Sequence, residues 1–157
     1  MTTYDPLYVA FLIYFNRDQD YFECHEVMEE LWLERDKDPL YKGLLQVAVG
    51  LYHFRNRNVT GGRKMMESAA QRLCPYPPDS LGINLGKLLD ETRAYAAQLA
   101  NYEQSPFPYY DLKIGILDEH LSKLVKQASS EIKPNIPQRR GPQRGAKHEL
   151  RMQGKTK

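Results

Sequence analysis

Two of the four histidines stand where their neighbours could recruit them for chemistry. His25 heads the run His25-Glu26-Val27-Met28-Glu29-Glu30-Leu31-Trp32, and His53 lies in an apolar stretch, residues 44–54. Residues four apart on a helix share a face one turn apart, so His25 and Glu29 can meet. A paired carboxylate can tune an imidazole near neutral pH, as a general acid or base requires. The same pair offers two ligands to a divalent metal, and His53 could add a third. The spacing is not H-E-x-x-H, because Glu29 stands where the second histidine would be. Nor is it the paired E-x-x-H of di-iron bundles, because no glutamate stands three before His25 or His53. No nucleophile elbow, P-loop or dinucleotide fingerprint accompanies it. The catalytic candidates are therefore His25, Glu29 and His53, with the same three as the metal alternative; no cofactor is expected. The favoured reading is a buried hydrogen-bond network that fixes two helices, which leaves room for a ligand pocket on the same residues.

The elements that must position these residues read as six helices, over about residues 6–15, 21–35, 39–57, 61–73, 85–100 and 112–130. No long segment alternates with period two, and no Asn-Gly or Asp-Gly hairpin signal occurs. Asp5, Asp20, Asp38, Thr60 and Asn84 stand at the starts as caps. In the second helix Tyr21, Cys24, Val27, Met28, Leu31 and Trp32 form an apolar arc, which makes Cys24 a core residue. Glu23, Glu30 and Glu34 lie opposite, on the solvated side. His25 and Glu29 sit between Trp32 on one flank and Phe22 and Leu33 on the other, with Glu26 at the border. The third helix is apolar all round from 44 to 54 and must be surrounded. Its polar or missing side chains, Gly43, Gln46, Gly50, His53 and Arg57, fall on one stripe, spaced by three, four, three and four. The short link at 36–38 predicts an antiparallel hairpin in which Glu29 comes level with Gln46, His25 with Gly50 and Phe22 with His53. Glu26, Trp32 and Gln46 are then binding candidates, with Trp32 as an apolar lid. Two helical glycines on one face also suit a close crossing by another helix, and both roles are expected of this stripe. A separate anion site is conceivable at Thr60-Gly61-Gly62-Arg63, with Arg57 and Arg63 as its cations. An ordinary capped turn is the preferred account of it.

The pattern His25-Glu26-x-x-Glu29-x-x-Trp32, then Gly43-Leu44-Leu45-Gln46-x-Ala48, Tyr52-His53, Asn58 and Gly61, resembles a bacterial and archaeal family of small helical proteins. That family is catalogued as a domain of unknown function, number three hundred and nine. The resemblance covers roughly residues 11–100, and Gly62 departs from an expected alanine. His25, Glu29, Trp32, Gln46 and His53 match the family's motif positions. The resemblance implies an all-helical fold and an intracellular protein, and implies no reaction.

At 157 residues the chain is one domain by the usual length prior and can bury a sizeable core unaided. Its two cysteines make no disulfide framework. No apolar run is long enough to span a bilayer, and residues 7–15 lack the flanks of a signal peptide, so a cytoplasmic protein away from membranes is expected. Residues 1–132 carry 14 Lys and Arg against 19 Asp and Glu, a net of −5. Residues 133–157 carry eight Lys and Arg against one Glu, a net of +7, and have no aromatic residue. Such a segment is expected to be a disordered basic tail that touches polyanions weakly through charge. The reading is an all-α bundle of about six helices, residues 1–132, with a tail at 133–157. Its expected role is non-enzymatic, built on a buried His/Glu network with a small-ligand or partner pocket. The alternatives are an enzyme or metalloprotein using His25, Glu29 and His53, and a nucleic-acid-associated protein acting through the tail.

Overall fold

The computed structural model describes residues 4–134. Its six α-helices are α1 (Pro6–Ile13), α2 (Tyr21–Glu34), α3 (Pro39–Arg55), α4 (Val59–Leu73), α5 (Leu85–Ala100) and α6 (Glu119–Glu131). The described residues contain no named strand, so the all-α expectation is met. The expected tail falls almost wholly on residues 135–157, outside those described.

Asp and Asn start the helices by accepting an otherwise orphaned backbone N–H. Asp5 takes the N–H of Leu7, Asp20 that of Glu23, Asp38 that of Leu40 and Asn84 that of Lys87. The cap of α4 is Asn58 instead of Thr60: its Oδ1 accepts the Gly61 N–H at 2.9 Å. That difference follows from how α3 ends. Arg57 adopts a left-handed φ of 67°, while the Asn58 and Arg57 N–H groups bond back to the His53 and Phe54 carbonyls. This reversal closes the helix two residues early and delivers Asn58 to the start of the next one.

The apolar helix α1 is buried through Tyr8, Val9, Phe11, Leu12 and Ile13, then widens into a π turn over Tyr14–Asp18. The expected helix end at Phe15 is thus an underestimate. Helix α3 is the centre, packed by α2 and α4, and α5 lies on α4. Leu44, Val47, Ala48 and Leu51 of α3 are fully enclosed. Burying one such leucine is worth about 1.5–3 kcal/mol.

The last helix differs from expectation. It starts at Glu119, with residues 112–118 extended before it. Leu112 and Ile114 point inward while Lys113 and Gly115 are exposed, which is period two. Asn16 holds this segment from both sides: Nδ2 donates to the Ile114 carbonyl at 2.9 Å and Oδ1 accepts the Ile114 N–H at 2.8 Å. Ile116 forms an isolated antiparallel bridge with Ile83. Leu117, which a helix over 112–130 would place on one face with Ile114 and Leu121, is 58% exposed.

Candidate functional site

Helix α2 presents His25, Glu26 and Glu29 together. The His25 Nε2 lies 3.1 Å from Glu29 Oε2, and its Nδ1 lies 3.5 Å from Glu26 Oε1. One imidazole thus sits between two carboxylates, one turn ahead and one residue ahead. Their surroundings differ. The Glu26 side chain is 6% exposed, whereas those of His25 and Glu29 are 36% and 29% exposed. Glu26, expected at the border, is therefore the enclosed member, and Glu29 is only half-buried. Cys24 is core as expected: its thiol donates to the Phe11 carbonyl, and burial pushes it well above the ordinary thiol range.

Helix α3 brings His53 to the same side. Burial and the neighbouring His25 hold His53 below the usual imidazole range, which favours its neutral form. Asn58 Nδ2 lies 3.4 Å from His53 Nδ1, so the cap of α4 also orients this ring. Phe22 lies tilted to Tyr52, with centroids 6.2 Å apart, one residue before the His53 that it meets in the expected hairpin register. That register fails at the glycines. An added Cβ on Gly50 would meet Met66 at 3.1 Å, and one on Gly43 would meet Leu73 at 2.7 Å. Both glycines therefore face α4, where a Cβ added at Gly62 would in turn meet the Gly50 carbonyl oxygen at 3.2 Å. The stripe is split between two neighbours, because α3 is wrapped by helices on more than one side.

Trp32 is half-buried, and its ring is roofed by Lys42 Nζ at 4.6 Å and Lys37 Nζ at 5.9 Å. Cations instead of carboxylates cover the indole, a favourable arrangement over an aromatic face. Its Nε1 is buried and has no hydrogen-bond partner, as does Oε1 of Gln46. Among the described residues no hydrogen bond joins Glu29 to Gln46. Gln46 is itself only 6% exposed. Buried donors and acceptors are nearly always paired, so two such atoms on facing helices call for an explanation.

Among the described residues no group of three or more His, Cys, Asp or Glu side chains is arranged to hold a metal ion. The two arginines part company as well. Arg57, exposed and beyond the end of α3, borders a recess with Phe54 and Tyr109, whereas Arg63 borders another with Thr60 and Glu103. The N–H groups of Gly61 and Gly62 already bond to Asn58, so the turn at 60–63 is an ordinary capped helix start. Sequence reasoning missed a cavity of about 560 Å³ at the opposite end of α2, bordered by Tyr4, Tyr8, Tyr41 and Arg35. The i, i+4 pair of Tyr4 and Tyr8 was the legible signal for it.

Helices and site together define an all-helical domain with a His–carboxylate cluster on a central helix hairpin. Residues 8–65, from α1 into α4, match the model of the domain of unknown function DUF309. The chain is 30% identical over 128 residues to the uncharacterised protein YpuF of Bacillus subtilis (strain 168), covering 78% of this chain and 71% of that one. It is also 30% identical over 103 residues to an uncharacterised protein of Aquifex aeolicus (strain VF5), covering 64% of this chain and 29% of that one. The chain belongs to the DUF309 family. No solved structure matches it. No described helix is long and apolar enough to cross a membrane.

Proposed function

We propose that this chain is a non-enzymatic binding domain that takes a small polar ligand at the α2–α3 hairpin, where His25, Glu26 and Glu29 form the polar wall. The observation that carries this reading is the pair of buried, unpartnered atoms on facing helices, Trp32 Nε1 and Gln46 Oε1. One is a donor and the other an acceptor. A ligand amide or carboxylic acid supplies both complements. Sites kept for binding hold such atoms at a cost to stability.

Trp32 is the only tryptophan, so its emission reports on the site directly. Titration of the full chain with small amides and carboxylic acids should give a saturable change in that emission. Gln46→Met, which removes the unpartnered oxygen at similar volume, should abolish the change and leave the protein as stable or up to about 1 kcal/mol more stable. A loss of more than about 1 kcal/mol would make Gln46 a structural member of the core and remove the basis of the reading.

Acid–base catalysis remains the second reading, favoured by the 3.1 Å contact between His25 and a half-exposed Glu29. Turnover of a bound ligand that His25→Gln stops, with binding intact, would establish it in place of the first.

A further inference from the structure

At the far end of α2 from His25, the start of α1, the end of α2 and the turn before α5 border a half-open cavity of about 560 Å³. That is within the range of small-molecule sites. Its walls are tyrosines and aspartates. Tyr4 and Tyr8 have ring centroids 6.1 Å apart, and Tyr41 stands edge-on to Tyr8 at 6.4 Å and 69°. Tyr8 is itself buried, so Tyr4 and Tyr41, on either side of it, are the rings left partly exposed to the space. Asp5, Asp79 and Asp118 border the same space, with Arg35 as its one cation. Arg35 is spent on Asp5, 3.0 Å away. That leaves Asp79 and Asp118 as net negative charge beside the rings.

The walls are fixed before any ligand arrives. Tyr4 donates to Asp118 Oδ2 at 2.9 Å, and the same oxygen caps α6 by accepting the Leu121 N–H. Tyr8 donates to the Leu81 carbonyl at 2.8 Å. Asp5 is held by its cap bond to Leu7. Gly82 sits in the floor at φ 74°, where a Cβ would strike the Tyr4 hydroxyl at 2.6 Å and Asp118 at 2.9 Å. Two groups are left uncommitted. Asp79 is exposed and its side chain caps nothing, and Tyr41 makes no hydrogen bond through its hydroxyl.

We infer that this cavity is a binding site for a small organic ammonium ion, seated against the Tyr4 and Tyr41 rings and neutralised by Asp79 and Asp118. The reason is chemical. Tyrosine faces attract a cation through the ring quadrupole, and an alkylated ammonium loses little hydration on entering such a space. A carboxylate at the edge supplies the charge that the rings lack. An anion would meet two unneutralised aspartates, and a neutral ligand would leave them unused.

The test uses the full chain and two probes of the same shape: choline, and its uncharged counterpart 3,3-dimethylbutanol. Isothermal titration should show saturable choline binding with Kd at or below about 1 mM, and at least about tenfold weaker binding of the alcohol. Asp79→Asn should weaken choline about tenfold. Tyr41→Leu should do the same, whereas Tyr41→Phe, which keeps the ring, should retain affinity. The Asp79 side chain caps nothing, and its backbone bond to Gly82 survives the change, so Asp79→Asn should melt with the wild type and carries the test even if Tyr41→Leu does not fold. Equal binding of choline and the alcohol, no saturation by about 10 mM, or unchanged affinity in Asp79→Asn would each overturn the inference.

Discussion

Glu26 and Glu29 share one histidine and differ in what surrounds them. Glu29 is an i, i+4 partner of His25 with open access to water, and such pairs contribute only a few tenths of a kcal/mol. Glu26 is enclosed, and its removal strips a buried carboxylate from a packed wall. Glu29→Ala should therefore cost less than about 0.5 kcal/mol in urea unfolding, and Glu26→Ala about 1–3 kcal/mol. Equal costs would place both carboxylates in one environment and contradict the geometry. Phase along the helix predicted that His25 and Glu29 meet. It misjudged which glutamate lies deeper, because depth depends on how α2 is rotated against α3.

Between elements, α3 and α4 cross where three glycines replace side chains. Gly43 and Gly50 of α3 receive Leu73 and Met66 of α4, and Gly62 of α4 approaches the Gly50 carbonyl. Gly50→Ala adds a methyl against the flexible end of Met66, and its gain in helix propensity, about 1 kcal/mol, should roughly offset the crowding. Gly50→Leu has no such escape and should lower stability by about 1–3 kcal/mol or more, read from the melting curve. A neutral leucine would mean that α4 does not cross at this point. The spacing of the glycines was legible in the sequence. Their partner was not, because a fully buried helix offers every face to some neighbour. The extended segment at 112–118 was misread for a related reason. Its Leu112, Ile114 and Ile116 fit period two, but so short a segment also fits a helix start, and the bonds from Asn16 decide the matter from about a hundred positions away.

For the molecule as a whole, charge divides the chain. The first 132 residues carry a net of −5 and the last 25 a net of +7. We propose that residues 133–157 act apart from the helices, as an arm whose affinity for polyanions is electrostatic. Truncation after Lys133 should leave the melting temperature within about 1 °C, since a segment whose large apolar residues are only Ile136, Leu150 and Met152 adds little burial. It should also abolish retention on heparin at low salt, and the intact chain should elute as salt rises. A melting point several degrees lower after truncation would show that the arm packs on the helices.

Local order was written in the sequence. Apolar period, Asp and Asn caps and prolines at first helical positions each act within a few residues, so the helices and the meeting of His25 with Glu29 could be read directly. Tertiary structure alone decided the rest. It turned the glycines toward α4, left Trp32 Nε1 and Gln46 Oε1 without partners, and parted Arg57 from Arg63. It also gathered Tyr4, Tyr41, Asp79 and Asp118 around one cavity from four separate stretches of chain. Contacts of that kind depend on the relative rotation and offset of packed helices, which side-chain fit sets across the whole core and no local pattern records.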